Sequence, residues 1–533
     1  MSTSTIYKTV SQRVAIAVRV LAATAVLPER VAARPATRVA ARLPARAPRP
    51  ARPWVLLALM LAVGVGLGLT FIRKYHVPLD GDIAPIVGPR ADYAHVLQDP
   101  FGWEALVHQR SYAGPNRFFA HLGMVLYFRH VPLALQAFLP PIDSLYAAVA
   151  GFNVLVQALL LYVLGWYASG TRRLSSLRLW LAMALMLPFF QTTGYYSQMG
   201  IIDNSATYNF FYALPLALLL VLLWPLYRAA SQGQPVRLAW HQLAAMLLLS
   251  VVLAFNGPII TGTVLVLVLG AELHLVRQRL RCPAAEWLRG LPWQLVLLWA
   301  WLGALCLYSL YIGRYNSENL TTSMRTLSER YQLLPLGVFH ALTDRLGLGL
   351  LVLGCLANVQ LIRRLLPPTT LGVRMSGTLR WIGLFALVYS LLLPLGGYRP
   401  YRPYILNHDS VLPIIIALVG FYGLSASYLL LHLRGRAQRW YCVAALAIAF
   451  VYLNADRRLV PPDNNSRERQ ALAALAQAGP APVVRLPVSC TVLSWQPITE
   501  PLSSVTCAEL LAYWRVTPGL KLYYCPPAPE AAR

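Results

Sequence analysis

Residues 54–72, WVLLALMLAVGVGLGLTFI, run for 19 positions without a charge. That matches the roughly 20 residues a helix needs to cross about 30 Å of hydrocarbon. In lipid, such a stretch satisfies its own N–H and C=O groups only as a helix or within a closed barrel. The run lies too deep in the chain, and is too long, for a cleaved signal peptide. Ten further apolar segments follow, at about 143–168, 179–193, 209–227, 238–255, 259–276, 291–312, 345–362, 381–396, 411–433 and 440–455. The expected fold is an all-α polytopic membrane protein with about eleven transmembrane helices.

Composition agrees. The chain is 57% hydrophobic and 12% charged, against about 25% charged in an ordinary soluble domain. The net charge of +26 would suggest a polyanionic partner in a soluble protein, but here it has a topological explanation. Residues 1–53 hold ten Lys/Arg and one acid, Glu29, which places the N-terminus in the cytoplasm. Within that tail, RVAARPATRVAARLPARAPRPARP is Arg/Ala/Pro low complexity suited to anionic lipid headgroups. The Arg clusters at 172–178, 228–237, 277–289, 363–380 and 434–439 then fall on the same side. That side carries 26 Lys/Arg against three acids, and the other carries 20 against 17. Orientation explains the basic excess, and no nucleic-acid partner is expected.

Phe118 to Leu139 is long enough to span but contains Arg129, His130 and Pro132. A crossing there would invert the Arg clusters, so an amphipathic helix lying along the outer surface is expected. The layout is then a basic tail (1–53), a transmembrane domain (54–455) with a long first outer loop (73–142), and a small outer domain (456–533). That last domain holds Cys490, Cys507 and Cys525, three of the seven cysteines. An oxidising compartment and one disulfide with one thiol left over are expected there. Cys282, Cys306, Cys355 and Cys442 lie in or beside apolar segments and read as packing residues.

Four outer segments carry polar chemistry. The first, after span one, is YHVPLDGDIAPIVGP with Asp80 and Asp82, followed by Asp92, Asp99 and Glu104. Close carboxylates can hold a divalent cation such as Mg or Mn, or supply a general base whose pKa its neighbour raises. They can equally cap helices and turns. The second, residues 192–209, offers Tyr195, Tyr196, Gln198, Asp203 and Asn204. The third, 312–331, offers Arg314, Tyr315, Asn316, Glu318 and Asn319, a set suited to a sugar or lipid headgroup. The fourth, GGYRPYRPYILNHDSVLP, interleaves Arg399 and Arg402 with Tyr398, Tyr401 and Tyr404. Guanidinium groups suit bidentate phosphate binding, and here they stand against the positive-inside trend. His408 and Asp409 in the same segment could orient or protonate a reacting group.

With this layout the chain resembles the polytopic glycosyltransferases of the C superfamily, in particular bacterial members related to protein O-mannosyltransferases, aminoarabinose transferases and oligosaccharyltransferases. The resemblance is carried by Asp80-Gly-Asp82 opening the long first outer loop, by the surface helices expected in that loop, and by the small outer C-terminal domain. Many relatives show Asp-Glu or Glu-x-Asp where this chain has Asp-Gly-Asp. The resemblance implies a polyprenyl-phosphate-linked sugar donor used on the outer face, a glycan, lipid or protein acceptor, and inversion at the anomeric carbon. It makes Asp80 or Asp82 the catalytic base or a metal ligand, and Arg399 and Arg402, with Tyr398 and Tyr401, the donor-phosphate contacts. Asn204, Tyr315, Asn316, Glu318, His408 and Asp409 would be secondary contacts. The expected location is a bacterial inner membrane with the C-terminus in the periplasm, or in the lumen of the endoplasmic reticulum if the host is not bacterial.

Three other classes share the spans. A transporter or flippase predicts ionisable residues within spans and repeated halves, whereas these spans are almost free of central acids. A non-catalytic assembly protein leaves acidic and arginine clusters on one side unexplained. An outer-leaflet phosphoryl or acyl transferase would use the same groups, but no Ser or Thr nucleophile stands out.

Overall fold

The computed structural model describes residues 53–88, 91–192, 199–279, 293–320, 325–344, 346–398, 404–455, 464–487 and 491–525. The basic tail, Tyr195, Tyr196, Gln198, Cys282, Arg399, Tyr401, Arg402 and Cys490 lie outside the described residues, as do the side chains of Asp92 and Asn319.

The chain is an all-α integral membrane protein. Among the described residues, eight helices are long and apolar enough to cross a membrane: Pro53–Tyr75, Phe118–Leu135, Pro141–Ser169, Ala206–Gln232, Trp293–Gly313, Leu346–Leu365, Leu371–Gly396 and Leu412–His432. Three of the expected spans are shorter as apolar helices, Leu177–Gln191, Trp240–Ala254 and Pro258–Leu273. At about 1.5 Å per residue, fifteen residues reach only about 22 Å. The expected span at 440–455 is the helix Gly435–Asn454, whose first turns carry Arg436 and Arg439.

Pro141–Ser169 and Leu412–His432 form the centre of the bundle, each with 67% of its apolar window buried. Pro53–Tyr75 packs along the first of these and turns its leucines outward. Lipid is as apolar as leucine, so close packing and interhelical hydrogen bonds must join such helices. Met186 sits where a Cβ on Gly423 would lie, 2.6 Å from its sulfur. Tyr441 Oη donates to Asn358 Oδ1 at 2.9 Å, and Asn358 Nδ2 donates to Ser425 Oγ at 3.0 Å. The Gln191 amide donates to Thr70 Oγ1 at 3.1 Å.

The two ends of the bundle differ in charge. At one end Arg172 stacks over Trp166 and Trp224, and Arg374 donates to Ser231 O. The carboxylates gather at the other end. The Phe118–Leu135 helix meets the length and composition test for a span, yet its two ends are held at that carboxylate end. Phe119 N–H donates to Phe255 O at 3.2 Å, where helix Trp240–Ala254 finishes. Nine residues on, Phe128 O accepts from Trp514 Nε1 at 2.8 Å, and past the last turn Gln136 Nε2 donates to Trp514 O at 2.6 Å, both in the C-terminal domain. The helix therefore stays at one end of the bundle.

The C-terminal domain packs at the same end. It contains helices Ser466–Ala476 and Val505–Tyr513 and two three-residue strands, Val483–Arg485 and Leu522–Tyr524, paired in parallel. Trp514, Tyr523, Leu472 and Leu511 form its core, with Cys507 and Cys525 buried among them. At 29 residues, Pro141–Ser169 is longer than a span requires. Its first turn carries Asp143, which accepts from Arg469 Nη1 at 2.7 Å and so ties the domain to the bundle.

Candidate active site at the carboxylate end

The Asp80-Gly-Asp82 turn is fixed from three directions. Leu79 N–H donates to Glu468 Oε2 at 2.9 Å, Asp80 lies against residues 205–207, and Gly81 faces the C-terminal domain. A Cβ on Gly81 would come within 2.4 Å of Trp495 N, so only glycine allows this approach.

The two aspartates have different surroundings. Asp80 is buried. Its Oδ1 accepts from Thr207 Oγ1 at 2.7 Å and from Asp82 N–H at 3.2 Å, and its Oδ2 accepts from Thr207 N–H at 3.3 Å. Burial raises its pKa, opposed by the bonds from Thr207, Ser205 and Asp82. Asp82 is half-buried and precedes the short helix Ile83–Val87, but its side chain makes no capping bond. Its Oδ1 accepts from Trp495 Nε1 at 3.0 Å. Burial first, then the Asp80 charge, push its pKa up to about 6.

Two more charges face Asp82. The Glu318 carboxylate raises its pKa and the Arg117 guanidinium lowers it. Arg117 and Glu318 pair at 3.4 Å, and Tyr93 Oη donates to Glu318 Oε1 at 3.3 Å. Asn316 orders this corner, accepting from Gly114 N–H at 3.1 Å through Oδ1 and donating to Glu318 Oε2 at 3.4 Å. Arg117 also lies over the Phe211 ring.

Behind Asp80, residues 202–209 carry a second polar group. The buried Lys74 donates to Ile202 O, Asp203 O and Asn204 Oδ1 at 2.8–2.9 Å. His408 pairs with Asp203 Oδ2 at 2.7 Å. Its other ring nitrogen faces Asn407 Oδ1 at 3.0 Å, an oxygen that also accepts from His408 N–H. Asp409 accepts from Ser410 N–H at 2.7 Å. A cavity of about 10 Å³ beside Tyr208, His408 and Asp409 has room for about one water.

Other sequence candidates stand apart. Asp99 caps the helix Trp103–Val107, accepting from Trp103 N–H, Glu104 N–H and Tyr112 Oη, a structural role. Tyr315 stacks with Arg314, and Tyr398 lies under Arg325. A void of about 290 Å³ is lined by apolar residues such as Leu59, Leu181, Phe189 and Leu446. It opens among the apolar helices, away from the carboxylates.

Arg117, Tyr93, Thr207, Trp495 and Glu468 were not legible as site residues. Each is brought to Asp80 or Asp82 by tertiary packing alone, and no local pattern marks them. Both Asp80 oxygens are engaged, and among the described residues no three His, Cys, Asp or Glu side chains are grouped to hold a metal ion. Compared with known proteins, the chain matches no family model, no curated protein and no solved structure.

Proposed function

We propose that this protein is an inverting membrane glycosyltransferase of the C-superfamily type, transferring a sugar from a polyprenyl-phosphate donor to an acceptor at the carboxylate end of the bundle. The observation that carries the reading is the division of labour between the two aspartates. Asp80 is buried and fully hydrogen-bonded, whereas Asp82 is half-buried, does not cap its helix, and is held near pKa 6. A carboxyl tuned upward in this way is suited to general-base work near neutral pH.

In the proposed step, Asp82 accepts the proton of an acceptor hydroxyl as that oxygen attacks the anomeric carbon. The new C–O bond forms as the bond from the anomeric carbon to the phosphate oxygen breaks. The electron pair leaves with polyprenyl phosphate, and the sugar inverts. Asp80 is a positioning residue, fixing the turn through the Asp82 N–H. Arg117 faces Asp82 and can stabilise charge on the leaving phosphate, a role Arg399 and Arg402 would share. No step is routed through a metal ion. The eleven-span topology, cytoplasmic N-terminus, periplasmic C-terminus and bacterial inner membrane belong to this same reading, supported by the charge asymmetry of the connections.

The test is transfer of radiolabelled sugar from polyprenyl-phosphate donors by purified protein, comparing wild type with Asp82→Asn. Turnover by wild type that is lost in the variant supports the reading. Equal turnover in both removes Asp82 as base, and wild-type inactivity across a broad donor panel defeats the transferase.

A further inference from the structure

The C-terminal domain contains two tryptophans near the bundle, and they are treated differently by the fold. Trp514 is 1% exposed, with its indole N–H given to Phe128 O; it is a core residue joining two segments. Trp495 is 44% exposed although it is held at both its ends. Its backbone abuts Gly81, and its indole N–H donates to Asp82 Oδ1 at 3.0 Å. Its neighbours Ser494 and Gln496 are polar. Tyr208 stands beside it, ring centroids 6.3 Å apart and inclined by 31°, and Tyr212 continues the row at 5.8 Å.

An exposed indole that the fold immobilises is a binding surface whose ordering entropy has been spent in advance. The negative face of an aromatic ring attracts the weakly positive C–H groups of a sugar. Beside it stand a carboxylate base, a second carboxylate in Glu318 and the Arg117 guanidinium, all of which bond to hydroxyl groups.

We infer that Trp495 and Tyr208 form the floor of a pyranose-binding subsite beside Asp82, with the C-terminal domain supplying the stacking face. The choice of sugar as ligand class rests on the transferase reading above, and the subsite adds to it a specificity role for the C-terminal domain. Because the indole N–H is bonded to Asp82, a ring seated on this floor has its hydroxyls next to the base.

The test reads binding without turnover. Protein labelled with 5-fluorotryptophan is held in a detergent without sugar groups, and the Trp495 fluorine resonance is identified as the one lost in Trp495→Phe. Its displacement in Asp82→Asn gives an independent identification should Trp495→Phe fail to fold. Methyl glucoside, mannoside, galactoside and arabinopyranoside are titrated, with glycerol and phosphoethanolamine as controls. The expected result is a saturable shift with at least one pyranoside and none with the controls. Tyr208→Ala should weaken that binding about fivefold or more. A resonance that no pyranoside moves, while it still follows the protonation of Asp82, would overturn the subsite and leave Trp495 as a positioning residue only. Sugar binding without transfer from any donor would defeat the transferase and keep the subsite; transfer without sugar binding would do the reverse.

Discussion

The indole N–H of Trp495 donates to Asp82 Oδ1 at 3.0 Å, joining residues 413 positions apart in the chain. That bond favours the ionised carboxylate, against burial and the Asp80 charge, which favour the neutral form. In the proposed transferase the base would therefore work at a pH set partly by the C-terminal domain. Activity should rise with pH through a midpoint of about 6. Trp495→Phe, which keeps the ring and deletes the donor, should move this midpoint upward. A pH–rate profile decides it, and an unmoved midpoint would mean that Asp82 is not the titrating group.

Replacing the base should have a larger effect than replacing its anchor, and of a different kind. Asp82→Asn is expected to lose about 10²–10⁴-fold in kcat while the protein stays folded. Asp80→Asn removes a charge that raises the Asp82 pKa, so the activity that remains should titrate at lower pH than wild type. Comparable loss in both variants, with no displacement of the profile in Asp80→Asn, would contradict these roles.

Arg117 and Glu318 act on Asp82 with opposite sign. Glu318→Gln should shift the acidic limb downward and Arg117→Gln upward, in the same assay. Arg117→Gln should also lower kcat if the guanidinium stabilises the leaving phosphate, whereas Glu318→Gln carries no such expectation. Shifts in the same direction for both variants would show that the effect comes from rearranged packing.

How far the sequence reached can be judged on these same residues. Uncharged runs such as 54–72 mark helices because lipid leaves a backbone few other ways to satisfy itself, and those segments are helical as expected. Asp80 and Asp82 were conspicuous because acids are scarce, 20 in 533 residues. Their unequal burial was not legible, since it depends on Thr207 and Trp495, each more than a hundred residues away. Phe118–Leu135 has a span's composition, and only its bonds to Phe255 and Trp514 hold it at one end of the bundle. His408 and Asp409 stood out as polar neighbours, but the partner of His408, Asp203, lies 205 residues away and no local pattern marks it.

Glu468 predicts a pH dependence of stability. Burial pushes its carboxyl up to about 8, from an ordinary 4.5, so the fold favours the protonated form. The resulting stabilisation is complete below about 4.5, declines as the unfolded chain alone ionises, and is lost as pH rises through about 8. Glu468→Gln keeps an oxygen for Leu79 N–H and Tyr146 Oη but cannot ionise. Its Tm should therefore fall less than wild type's between pH 5 and 8, read as the difference between the two proteins at each pH. Parallel curves would show that Glu468 ionises in the folded protein as it does in the unfolded chain.

Gly81 gives the sharpest test of whether the C-terminal domain completes the site. A Cβ there would lie 2.4 Å from Trp495 N and 2.7 Å from Ser494 C. Both are backbone atoms, which no rotamer change can move aside, so Gly81→Ala must push residues 494–495 off the turn. The domain should remain docked, because Arg469 still pairs with Asp143 and Trp514 still bonds Phe128 O. The expected loss is roughly 10–100-fold in kcat, the scale of a displacement of about 1 Å beside a reacting group. The acidic limb should move upward with it, since the Trp495 bond to Asp82 is stretched. Gly88→Ala is the control, as its Cβ would meet nothing closer than Ala84 O at 3.4 Å, and it should leave activity nearly unchanged. If Gly81→Ala behaved like Gly88→Ala, the C-terminal domain would be a neighbour of the catalytic turn and no part of its chemistry.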